Sequence, residues 1–174
     1  MKDGEVSMAK TCCFTGHRTI PSDEYKKIHD CVMNLLDELY LQDYRYFGVG
    51  GALGFDTLAA ECLLEYKKTH PLIRIIEVLP FHGYRSYWTE AQKEYAASID
   101  QAMDKIVFCC ETPSRSAFLV RDRHLVDCSS ACISYCTRLS GGTAYTVKYA
   151  LKHNLPVYNT SAFDVHVLLE QSNH

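Results

Sequence analysis

The sequence predicts an α/β fold, a Rossmann-like open and mostly parallel sheet flanked by helices on both faces. Short apolar runs alternate with longer stretches of helical periodicity, which is typical of a parallel sheet. Three of the predicted strands end in Gly-containing turns that lead directly into helices. A length of 174 residues, of which 47% are hydrophobic, suits one domain with its own core.

The first predicted strand covers residues 11–15 and leads through Gly16 into a helix at about 22–41, which Ser22 caps. The apolar side chains of this helix recur every three or four residues, as expected for a helix with one face against a sheet. That stripe consists of Tyr25, Ile28, Val32, Leu35, Leu36 and Leu39.

The second predicted strand, 45–49, ends in Gly50-Gly51 and is followed by a helix at about 55–69. Pro71 stops this helix because the residue before a proline disfavours the helical conformation. A third strand follows at 73–79 and is closed by Pro80.

The remaining segments continue the alternation. The predicted helices are at about 89–100, 116–128 and 141–153, and the predicted strands are at 105–110, 131–136 and 156–158. Residues 1–10 are expected to be a flexible lead-in because they are short and polar. Without a repeat, linker or low-complexity tract, residues 11–174 are expected to form a single domain.

Composition narrows the classes of function. The net charge of −3 gives no general basic field, so nucleic acid is not expected as a partner. No segment is apolar for long enough to span a bilayer, so no membrane role is expected. The nine cysteines show no CxxC motif or zinc spacing, and reduced thiols in a cytoplasmic protein are the expectation. Neither a metal nor a cofactor is predicted.

Three turns lie at the predicted carboxyl edge of the sheet, where open α/β sheets bind their ligands. The first contains Gly16, His17 and Arg18. Glycine lets the backbone approach a ligand, and helix N-termini offer N–H groups that suit phosphate. The other two turns supply Gly50, Gly51 and Gly54, and Gly141, Gly142 and Thr143.

Three charged residues near these turns complete the candidate ligand-binding site. Asp56 at the start of the second helix is open to two interpretations that one carboxylate could combine. It complements the helix dipole, or it contributes to the ligand site by accepting from a ribose hydroxyl or fixing the glycine loop. Arg121 and Arg123 precede the fifth strand and cannot share a helix face, so at most one of them is expected to reach the ligand. His17 suits an acid/base or stacking role as well as a hydrogen bond that braces its loop.

A cluster of aromatic residues follows the third strand. Tyr84, Tyr87, Trp88 and Tyr95 are open to two interpretations, as core anchors or as an aromatic wall over the ligand. The standard nucleotide motifs GxGxxG and GxxxxGK[ST] are absent, so a dehydrogenase or P-loop NTPase is not predicted.

These motifs resemble a known family. The runs 15–18, 49–61 and 79–81 are similar to YpsA-type proteins of the SLOG superfamily, which also contains the DNA-processing protein DprA and the LOG-type hydrolases. The resemblance implies a Rossmann-like fold and binding of a nucleotide-derived molecule. It also links the YpsA type to bacterial cell division, and LOG-type relatives commonly form homo-oligomers.

The sequence differs from the LOG-type hydrolases at their motif PGGxGTxxE. Ser140 replaces the proline, and either Lys148 or Thr146 stands where that family has its catalytic glutamate. Binding or sensing of a nucleotide is therefore the leading hypothesis, with no assigned catalytic residue. The alternatives are a nucleotide N-glycosidase in which Asp56 or Glu61 replaces the glutamate, and an interaction protein with a vestigial pocket.

Overall fold

The computed structural model describes residues 9–171 and shows six strands that alternate with helices. Of the predicted lead-in at 1–10, residues 1–8 lie outside the described residues. The strands are β1 (Lys10–Gly16), β2 (Tyr44–Val49), β3 (Arg74–Leu79), β4 (Lys105–Phe108), β5 (Ala131–Tyr135) and β6 (Val157–Asn159). The helices are α1 (Tyr25–Leu41), α2 (Phe55–Lys67), α3 (Glu90–Gln101), α4 (Ser116–Asp127), α5 (Gly142–Lys152) and α6 (Val167–Glu170).

The six strands form one sheet in the order β4-β3-β2-β1-β5-β6, and every neighbouring pair is parallel. The predicted fold class is confirmed. From β1 the chain adds β2, β3 and β4 on one side and then crosses to add β5 and β6 on the other. The topological switch point therefore lies between β1 and β5, where ligands of open α/β sheets bind.

The two faces of the sheet carry separate cores, as β1 shows. Cys12 and Phe14 pack with residues of α1 and α2, whereas Cys13 packs with Leu125 of α4 and Ala150 of α5. This follows from the two-residue period of a strand, which sends neighbouring side chains to opposite faces. Helices therefore cover both faces, and the side chains of Cys12 and Cys13 lie in different cores. All nine cysteines lie within the described residues and are free thiols.

Most predicted elements match within two residues, and the differences are at their ends. The predicted cap Ser22 is wrong, because residues 22–24 form a turn and α1 begins at Tyr25 after Glu24, whose side chain makes no capping bond. The backbone N–H of Glu24 bonds instead to the carbonyl of Pro21. The strand expected at 105–110 stops at Phe108, and the short helix α6 was not predicted.

Candidate functional site

A cavity of about 610 Å³ lies at the switch point, above the carboxyl ends of β1 and β5. We call it the switch-point cavity. Its walls come from the loop after β1, the loop after β5, the start of α5 and one side of α4. The residues that define it include Thr15, Gly16, His17, Arg18, Thr19, Ala52, Asp56, Phe118, Arg121, Asp122, Tyr135, Thr137, Arg138, Gly142 and Thr143.

His17 joins the two strand ends that form the floor of this cavity. Its backbone N–H donates to the carbonyl of Tyr135 at 3.2 Å, and its ring Nε2 accepts from the backbone N–H of Thr137 at 2.9 Å. Burial lowers the pKa of His17, and the nearby Arg138 lowers it further. The neutral imidazole therefore holds the β1 and β5 loops together, with its proton on Nδ1.

Arg121 is the central charge of the site. The residue is only 5% exposed, and it donates from Nη1 to the carbonyl of Gly50 and from Nε to Asp122 at 2.6 Å. Asp56 is a second carboxylate near Arg121, and its Oδ2 accepts from the backbone N–H of Ala52 at 3.1 Å. Burial raises the pKa of Asp56 to about 6, although Arg121 lowers it. One arginine thus compensates two carboxylates and fixes the loop after β2.

Gly54 allows the loop after β2 to lie against the loop after β1. Its φ of +76° is one that residues with a side chain rarely adopt, and a Cβ here would overlap the backbone carbonyl of Arg18. Close to this point, the N–H of Phe55 donates to the carbonyl of His17 at 3.0 Å. The two loops therefore form one layer with the backbone of Arg18 fixed in place.

The carbonyl of Gly51 is held from the opposite side by Tyr84 and Arg85. Arg85 also pairs with two carboxylates, Glu77 at 3.2 Å and Asp100 at 2.7 Å. Glu77 is 1% exposed, and its Oε2 and the Oδ1 of Asp100 are both buried without another partner. Burial, followed by the neighbouring Asp100, raises the pKa of Glu77. We therefore expect Glu77 to carry a proton, and donating it to Asp100 would satisfy both oxygens.

Replacing Glu77 with glutamine should flatten the pH dependence of stability. A pKa raised in the folded state contributes stability below the ordinary pKa of glutamate, and this stability is lost as the pH rises through the raised value. An amide donates to Asp100 at every pH. The variant should therefore be about 1–3 kcal/mol more stable than the wild type near pH 8.5 and similar to it near pH 5.

Urea unfolding at both pH values measures this difference. Asp56 titrates in both proteins, so the comparison isolates Glu77. The exposed Glu94 is the matched control, and Glu94→Gln should leave the pH profile unchanged. Equal slopes for Glu77→Gln and the wild type would show that the two carboxyl groups share no proton.

The start of α5 opens into the switch-point cavity. Gly141 precedes the helix with a φ of +98°, and Gly142 and Thr143 form its first turn, whose backbone N–H groups have no partner within the helix. Arg18 and Arg138 are exposed at the rim. A helix N-terminus with two arginines nearby is a favourable environment for a phosphate.

The sequence-predicted residues divide into three groups. Seven line the switch-point cavity: Gly16, His17, Arg18, Asp56, Arg121, Gly142 and Thr143. Gly50 contacts these residues because its carbonyl accepts from Arg121. Gly51 and Gly54 line a second cavity next to the switch-point cavity. Gly141 and Arg123 line neither cavity, and Arg123 donates to Tyr145 of α5 at 3.3 Å instead.

Sequence reasoning missed two charged residues of the cavity. Arg138 lies in the loop after β5, and its position just before the Gly141 turn was a usable signal. Asp122 adjoins Arg121, and its Oδ2 accepts from Thr146 at 3.2 Å. No carboxylate stands on α5 between Thr143 and Lys152, but α4 brings one to the side of Thr146. Only the packing of two helices creates this arrangement.

Comparisons with known proteins agree with this architecture. The model of the YspA SLOG family matches residues 13–167. The SPbeta prophage-derived protein YoqJ of Bacillus subtilis is 28% identical over 139 residues, which cover 72% of this chain and 81% of YoqJ. A UPF0398 protein of Brevibacillus brevis is 25% identical over 130 residues, with 71% of this chain and 69% of that protein covered.

A solved structure of DNA processing protein A from Helicobacter pylori has a similar fold. Its TM-score is 0.63 at 19% sequence identity, over 93% of this chain and 72% of that chain, and that protein binds single-stranded DNA. The expectation that nucleic acid is an improbable partner is therefore wrong. Net charge reports the average over the surface, and a protein of this fold binds single-stranded DNA.

Two further properties concern the described residues 9–171. None of their helices combines the length and apolar composition needed to cross a membrane. Within the same residues, no cluster of His, Cys, Asp or Glu side chains could hold a metal ion.

Since the family model covers nearly all of the described range, the chain belongs to the YspA SLOG family.

Proposed function

We propose that the protein binds a nucleotide or nucleotide-derived small molecule in the switch-point cavity. The observation that carries this proposal is the convergence of the α5 N-terminus with Arg18 and Arg138 at the carboxyl ends of β1 and β5. The N–H groups of the helix and the two guanidinium groups are donors for a phosphate. Arg121, Asp56 and His17 form the rigid frame that positions these donors.

Arg18 is the residue that tests this proposal most directly. It is exposed and makes only a cation–π contact with Phe118 at 5.8 Å, so its removal should spare the fold. Arg18→Ala should weaken the binding of nucleoside mono- and diphosphates about tenfold or more, because a charge-assisted hydrogen bond is lost. Calorimetric titration with a nucleotide panel measures this change. Arg115→Ala, at an exposed arginine that does not line the cavity, is the control.

Single-stranded nucleic acid is a second candidate ligand. Arg18, one of the exposed arginines, lies 5.8 Å from the ring of Phe118, and the protein from Helicobacter pylori offers a precedent for this fold. The titration distinguishes the two ligands. An oligoadenylate that binds much more tightly than AMP, with a steep dependence on salt, would favour a strand. Equal affinities would favour the small molecule, and no binding by either would refute the proposal.

The N-glycosidase alternative is favoured by one observation, the carboxylate of Asp122 beside Thr146 in the switch-point cavity. Glu61 does not line the switch-point cavity, because the hydroxyls of Tyr25 and Tyr95 hold it in the second cavity. Chromatography of the titration mixtures for free base tests hydrolysis. Base release that Asp122→Asn abolishes would establish the enzyme.

A further inference from the structure

A second cavity of about 410 Å³ lies between α2, α3 and the loop after β1. We call it the aromatic cleft. Its walls are mostly apolar side chains and include the rings of Tyr25, Trp88 and Tyr95, together with Ile20 and Leu53. A concave apolar wall with a few oriented polar groups is typical of small-molecule sites. Of the aromatic residues noted in the sequence, Tyr87 is 98% exposed and lies outside the cleft.

The aromatic cleft adjoins the switch-point cavity. Arg18, Thr19, Ala52 and Asp56 line both of them. The two cavities differ in chemistry, since one offers a helix N-terminus and arginines, and the other offers aromatic rings. A ligand with a phosphate at one end and a planar ring at the other matches this pair.

Glu61 is held in a fixed position within the cleft, which is also lined by the polar residues Arg18, Asp56, Glu77, Arg85 and Gln92. Tyr95 donates to its Oε1 at 2.9 Å, and Tyr25 donates to its Oε2. Burial and this carboxylate raise the pKa of Tyr25, which keeps its hydroxyl protonated as a donor. Each carboxylate oxygen retains a lone pair, and a carboxylate only accepts hydrogen bonds. Beside Glu61 the cleft therefore suits a ring that presents N–H donors and disfavours one that presents a carbonyl.

We propose that the aromatic cleft binds the base of the nucleotide, with Glu61 selecting a base that carries an amino group. This inference rests on the proposed function and assigns the ligand class, a nucleotide of adenine or cytosine type. The phosphate lies in the switch-point cavity, and Arg18 stands between the two ends.

Trp88 makes the test specific to the cleft, because it is the only tryptophan of the chain. AMP should quench its fluorescence, whereas ribose 5-phosphate should bind without quenching. AMP should bind about tenfold more tightly than IMP, which has a carbonyl in place of the amino group. Glu61→Gln should remove or reverse this preference, because an amide also donates. Tyr87→Phe is the control and should keep it.

Three outcomes would overturn the inference. One is binding of AMP without any change in Trp88 fluorescence. Another is an unchanged ratio of AMP to IMP affinity in Glu61→Gln. The third is ribose 5-phosphate binding as tightly as AMP, which would leave the proposed function standing without a base site. If no nucleotide or sugar phosphate binds, the proposed function fails together with the inference.

Discussion

Replacing Arg121 with methionine should lower the free energy of unfolding by about 3–5 kcal/mol, because it leaves two carboxylates without their cation in a buried site. Methionine keeps much of the volume, so lost packing contributes little. The pKa of Asp56 should rise further, since Arg121 lowers it in the wild type. The destabilisation should therefore be smaller near pH 5, where a protonated Asp56 needs no compensating charge.

Arg123 is the matched control for this substitution. It stands on the same helix, but it is half-buried and makes one long hydrogen bond to Tyr145. Arg123→Met should change stability by no more than about 0.5 kcal/mol. Denaturant unfolding of both variants at two pH values gives the comparison. Equal losses for the two arginines would contradict a central role for Arg121.

Gly54→Ala should cost at least about 3 kcal/mol, because strain of the backbone and overlap with a neighbouring chain segment add together. The φ of +76° is unfavourable for alanine. The new Cβ would also overlap the backbone carbonyl of Arg18, which cannot rotate away as a side chain could. We expect the loops after β1 and β2 to separate and ligand binding to be lost.

Two other glycines separate the destabilisation caused by backbone strain from that caused by steric overlap. Gly83 has a φ of +82°, but a Cβ added there would meet no atom within 4 Å, so Gly83→Ala should cost only about 1–2 kcal/mol. Gly142 has neither feature, and Gly142→Ala should be neutral or slightly stabilising. Thermal unfolding of the three variants measures the series. If Gly54→Ala is no worse than Gly83→Ala, the close approach of the two loops is not a constraint.

The architecture was predictable because its causes are local in sequence. The alternation of Cys12 and Cys13 between two cores, and the apolar stripe of α1, follow from the periods of strand and helix. The location of a site at the carboxyl ends of strands follows from the parallel order. Glycines between a strand and a helix identified the loops, but they did not show which cavity each loop would line.

The partners within the site were not predictable, since each joins segments that are distant along the chain. Arg121 reaches Gly50 across 71 positions, and Glu61 meets Tyr25 across 36. A local pattern of residues cannot show contacts between positions so far apart in the sequence. The raised pKa of Glu77 depends on its burial beside Asp100, and no local pattern of residues shows that a glutamate in β3 is buried. The false cap at Ser22 arose because a turn delays the start of α1.

The bond between His17 and Thr137 has a consequence for folding. It joins residues 120 positions apart and belongs to the contact between β1 and β5, whereas β1, β2 and β3 pair through shorter loops. Closing a longer loop costs more chain entropy, so this contact is the slower one to form. The floor of the switch-point cavity does not exist until it has formed. A ligand that binds there would therefore stabilise the state in which β1 and β5 have paired.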